Sequence, residues 1–92
     1  MGTVFTPING LIKHVDASET HCEGAKYFIA IGEEVWDENQ DPQLVIKIQM
    51  MYDGKRSGRK APSYPVASDD WKEVSKAVEE LLEKYNSNKK GL

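Results

Sequence analysis

Residues 44–54 constrain this chain most. Leu44, Ile46, Ile48, Met50 and Tyr52 alternate with Val45, Lys47, Gln49 and Met51. A period of two puts the first set on one face of a strand and the second set on the other. Asp53-Gly54 follows at once. A two-residue type I′ hairpin needs positive φ at both central positions, which Asp-Gly tolerates. The chain must therefore reverse here, and the segment Lys55-Arg56-Ser57-Gly58-Arg59-Lys60 falls on the returning arm.

The neighbouring segments extend this into a sheet. Residues 11–15 read as a short first strand and residues 16–24 as a polar loop. Residues 27–36 read as a second strand, with Tyr27, Ile29, Ile31 and Val35 on one parity and Phe28, Ala30, Gly32, Glu34 and Trp36 on the other. One aliphatic and one mixed face suit a sheet covered on one side only. Residues 37–42 are a polar turn. Residues 63–66 are the candidate fourth strand, an edge or interrupted one, because Pro62 and Pro65 lack N–H donors.

From Asp70 to about Tyr85 the spacing predicts a helix. Asp70 as N-cap with Glu73 three residues later resembles a capping box. Trp71, Val74, Val78, Leu81 and Tyr85 form one apolar stripe. Glu80 and Lys84 make an i, i+4 pair. The stripe spans about two heptads, too short to argue for a coiled coil. Residues 86–92 read as a frayed polar tail. The expected fold is α+β: a four-stranded curved antiparallel sheet followed by one C-terminal helix packed on one face. The opposite face stays open.

The chain has 92 residues, 39% hydrophobic and 29% charged, which suits one domain with an ordered core over about residues 9–85. So small a core gains from pairing with a second copy. A single cysteine, Cys22, forms no intrachain disulfide. The first residues carry neither a basic stretch nor a long apolar run, so no membrane partner and a cytoplasmic location are expected.

Chemical constellations are few. His14, His21 and Cys22 lack the ligand number and spacing of a zinc site. Asp37, Asn39 and Asp41 match the first positions of a calcium loop, but Pro42 stands in place of the turn glycine and Ile48 in place of the closing Glu, so they read as capped turn residues. No metal or cofactor is expected. Glu33 and Glu34 have no acid/base counterpart in the sequence, and the chain reads as non-enzymatic.

The segment at 55–60 stands out because the net charge is −3, while four of its six residues are basic. Lys55, Arg56, Arg59 and Lys60 are candidate phosphate contacts, with Lys47 and Gln49 beside them on the adjacent strand. Tyr27, Phe28, Trp36, Tyr52 and Tyr64 are candidate stacking surfaces. Cations interleaved with aromatics on a sheet suit single-stranded nucleic acid. The alternative is a solvated hairpin on a protein-interaction module, which would use the same sheet face or an edge strand.

The run Leu44 to Tyr52, the Asp-Gly hairpin, Gly58-Arg59-Lys60, a short strand and a helix opening with Trp71 together resemble the PC4-like single-stranded-DNA-binding transcriptional coactivators. The related Pur-type repeats share the same element order. The resemblance covers residues 27–85 and implies a homodimer formed through the C-terminal helix. It also implies single-stranded DNA or RNA bound across the sheet, and a role in transcription regulation. Arg59 and Lys60 match the family's basic pair, Tyr52 a base-stacking aromatic, and Trp36 lies near the other. Gln49 stands where a DNA-contacting arginine is expected, which removes one charge. The stretch from Lys60 to Trp71 is longer than the family's, with two prolines.

Overall fold

The computed structural model describes residues 4–18, 21, 23–37, 39–57 and 61–90, the last three of these by backbone alone. Strands β1 (Val4–Asp16), β2 (Lys26–Val35), β3 (Gln43–Tyr52) and β4 (Lys55–Ser57) precede one helix, α1 (Asp70–Lys90). The strands form an antiparallel sheet in the order β1-β2-β3-β4. The architecture is α+β, four strands followed by one helix, as the patterning of residues 11–85 predicts.

The β3–β4 hairpin turns at Asp53 (φ 50°) and Gly54 (φ 78°). Both central residues take positive φ, as a type I′ turn requires. The basic arm is itself the fourth strand: Lys55, Arg56 and Ser57 pair with Tyr52, Met51 and Met50. Residues 63–66, expected as that strand, form none. Tyr64 stacks instead on Tyr27, with ring centroids 5.1 Å apart.

β1 is far longer than the expected 11–15. Its register with β2 breaks after Pro7↔Gly32 and resumes at Ile12↔Ala30, so residues 8–11 oppose Ile31 alone. Gly10, at φ 88°, lies within this bulge. The extra residues reverse the strand's parity. Phe5 and Pro7 before the bulge therefore share a face with Ile12, His14 and Asp16 after it. Leu11 turns into the core, with Ile8 packed against it.

One side of the sheet carries Tyr27, Ile29 and Ile31 of β2 and Met50 of β3, all buried, and α1 lies across it. The helix contributes Val74, Ala77 and Leu81, with Val78 and Tyr85 at the margin. Truncating Leu81 to Ala would cost about 2–5 kcal/mol. Trp71, expected in this stripe, is instead exposed and meets the Tyr64 ring edge-on at 5.1 Å. The helix packs on β1 and β2. On β3 the same side is less covered: Leu44 is exposed and Ile46 and Ile48 are half-buried. Residues 86–90, expected as a frayed tail, continue the helix.

The N-terminus of α1 also departs from the expected capping box. The Glu73 N–H donates to the Asp69 carbonyl, which makes Asp69 the N-cap residue. Asp70 is already helical, and its own N–H donates to Ser68 Oγ. Its carboxylate points into the fold, where it accepts from the Ser18 N–H and the Tyr27 hydroxyl.

Candidate nucleic-acid interface

The side of the sheet away from α1 is covered by no described element. Register places His14 of β1, Phe28 of β2, Gln49 and Met51 of β3 and Arg56 of β4 on this face. Lys26, Ala30, Val45, Lys47 and Glu34 share it.

Arg56 is the best-defined cation on this face. Its guanidinium carbon lies 5.0 Å from the Phe28 ring centroid, and Nη1 donates to Gln49 Oε1 at 3.4 Å. His14 meets the other flank of Phe28 edge-on at 5.4 Å. Phe28 is thereby buried although no helix covers it. The planar guanidinium, not the Phe28 ring, is what this stack presents to solvent. Its π-surface suits a nucleobase and its donors suit phosphate. No carboxylate pairs with Arg56 among the described residues.

Further along the face, Lys47 Nζ lies 5.5 Å from the Phe5 ring centroid and forms a short ion pair with Glu34. Glu34 also accepts from Trp36 Nε1. The Lys47 ammonium and then the Trp36 indole hold the Glu34 carboxyl below its ordinary value, against the opposing effect of burial. Trp36 itself is 57% exposed. With its N–H committed to Glu34, it offers an apolar ring. The eight residues from Phe28 to Trp36 at about 3.3 Å each separate the Arg56 stack from the indole by roughly 26 Å.

Of the expected site residues, Lys47, Gln49 and Arg56 come together on the open face, and Trp36 stands at its end. Tyr52 and Lys55 pair with each other on the helix side. Tyr52 packs half-buried against the core, so the stacking role implied by resemblance does not fit its face. The parity that assigns Gln49 and Lys47 to one side necessarily assigns Tyr52 to the other. Arg59 and Lys60 lie outside the described residues. Tyr27, a candidate stacking ring, is fully buried. Its hydroxyl is pushed up by burial and by the Asp70 carboxylate.

Phe5, His14 and Glu34 were missing from the expected set. Phe5 could not be assigned without the bulge, which alone brings residues before Gly10 onto this face. Glu34 had a usable signal: it shares parity with Phe28 and Trp36 and faces a strand carrying Lys47.

The remaining candidates resolve locally. His21 lies in the loop against Tyr27, apart from His14, and Cys22 lies outside the described residues. Asp37 Oδ1 accepts from the Asn39 N–H at 3.0 Å, and the Gln40 N–H donates to the Asp37 carbonyl, a capped turn. Among the described residues no helix is long and apolar enough to cross a membrane.

No family model, no curated protein and no solved structure matches this chain.

Proposed function

We propose that this protein is a non-enzymatic single-stranded nucleic-acid-binding protein, acting in the cytoplasm as a transcription regulator. The observation that carries the reading is the Arg56–Phe28 stack, oriented by Gln49 on an uncovered sheet face. Arg56 contacts phosphate or stacks on a base, Lys47 contributes a second charge, and Trp36 provides a separate ring. Arg59 and Lys60 join the site through their resemblance to the basic pair of PC4-like proteins. Tyr52 is not part of it.

The partially covered row Leu44, Ile46 and Ile48, together with exposed Leu82 on α1, supports a homodimer. A second copy seated against α1 and the outer part of β3 would remove this surface from water.

Titration of a fluorescent single-stranded oligonucleotide at 50 and 200 mM salt tests the reading. Affinity falling steeply between these concentrations is expected. Absence of binding to both DNA and RNA at the lower salt overturns it. Recovery of a protein partner after nuclease treatment, without oligonucleotide binding, would instead favour a protein-interaction module.

A further inference from the structure

The open face ends in a small cavity of about 230 Å³, lined by His14, Gly24, Lys26, Met51 and Gly54. Lys26 pairs across the sheet with Met51, and Met51 with Arg56. His14 and Lys26 thus bring two nitrogen-bearing side chains to the cavity, and Arg56 lies next to it over Phe28. The turns at Gly24 and Gly54 form its rim, and an added Cβ at either glycine would meet nothing within 4 Å. The volume falls below the roughly 300–1,000 Å³ of pockets that enclose whole drug-sized ligands. It is large enough for a phosphate with part of its sugar.

We propose that this cavity binds a terminal phosphomonoester, the phosphorylated end of a strand lying along the open face; the proposal rests on the nucleic-acid reading above. A strand running from Trp36 past Arg56 reaches the two turns and has no further sheet to follow. A terminal monoester carries about −1.5 to −2 charge and three acceptor oxygens, more than an internal diester presents. Lys26 is available to it. Its contact with Asp16 is 3.7 Å long between exposed side chains, which a phosphate in the cavity can displace.

The test compares oligonucleotides of one sequence bearing a 5′-phosphate, a 3′-phosphate or neither. Thymidine 5′-monophosphate is the free-nucleotide arm, with amide chemical shifts of Gly24, Lys26 and Gly54 read throughout. One phosphorylated end is expected to bind on the order of tenfold tighter, shifting those amides, with the preference lost in Lys26→Ala. Equal binding of all three strands overturns the proposal and leaves the nucleic-acid reading standing. If no strand binds but the monophosphate shifts the three amides, the cavity is a phosphomonoester site for free nucleotides, and the strand proposal falls with the nucleic-acid reading. If nothing binds, both fall.

Discussion

The Tyr27 hydroxyl lies 2.7 Å from Asp70 Oδ2, joining the interior of the sheet to the first turn of α1. The same oxygen lies 2.7 Å from the Ser63 carbonyl and 3.0 Å from His21 Nε2. One hydroxyl proton serves one acceptor. An ionised carboxylate is the stronger acceptor, so Tyr27 donates to Asp70. The Ser63 carbonyl, 3.0 Å from His21 Nε2, is then satisfied by a proton on that nitrogen. The arrangement ties Ser18 and His21 of the β1–β2 connection, Ser63 before the helix and the helix start to one buried point.

Tyr27→Phe should therefore destabilise the domain by about 1–3 kcal/mol, because it leaves a buried carboxylate short of a donor. Urea denaturation would measure this.

The same carboxylate makes stability depend on pH. Burial opposes ionisation of Asp70, but hydrogen bonds from the Ser18 N–H and the Tyr27 hydroxyl outweigh it and lower its pKa from the ordinary 3.8. A depressed folded pKa contributes stability that is fully present above the unfolded value. That stability is lost as pH falls from about 4 through the folded pKa. Asp70→Asn should flatten the acid limb of a denaturation series between about pH 4 and 2 relative to the wild type. An unchanged limb would place the acid sensitivity elsewhere.

The residue pattern carried much of this fold, and its failures have identifiable causes. Alternation in residues 44–52 and the Asp53-Gly54 turn gave β3 and the hairpin because each residue's face there follows from period two alone. The start of β1 was hidden because the bulge at residues 8–11 breaks that period. Asp70 looks like a cap because it stands three residues before Glu73 at the start of the apolar stripe; only tertiary structure shows it facing Tyr27. The candidate site was half legible. Lys47, Gln49 and Arg56 follow from strand parity, whereas the burial of Phe28 beneath Arg56 depends on three neighbouring strands at once.

Gly32→Ala should weaken the N-terminal half of β1. A Cβ at Gly32 would collide with the Thr6 carbonyl oxygen and sit 2.8 Å from Pro7 Cα. Both are backbone atoms of the paired strand, so no side-chain rotation relieves the clash. A loss of about 1–3 kcal/mol or more is expected, with hydrogen-exchange protection falling first at residues 4–7. Retained protection there would show that β1 shifts without cost.

Arg56→Ala should reduce oligonucleotide affinity about 5- to 50-fold if the open face is the binding surface, since one residue supplies both charge and stacking area. Folding stability should change by less than about 1 kcal/mol, because the cation–π contact is solvent-exposed. Arg56→Lys should recover the salt dependence but only part of the affinity, since a lysine keeps the charge without the planar fork. Equal affinity in all three proteins would remove Arg56 from the site.

Glu34→Gln makes the opposite prediction for affinity. Glu34 occupies both the Lys47 ammonium and the Trp36 Nε1–H on the proposed binding face. Its carboxylate therefore competes with a phosphate for Lys47. A neutral amide keeps the size and can still accept from Trp36, but releases the lysine charge. Affinity for single strands should rise, and the slope of log K against log salt should steepen by roughly one phosphate contact. The substitution should simultaneously lower stability, because a half-buried Lys47 loses its counter-ion. Titrations at four salt concentrations would separate the two effects. A weaker, salt-independent change would mean that Glu34 serves only to hold β2 and β3 together, and that Lys47 contacts no phosphate.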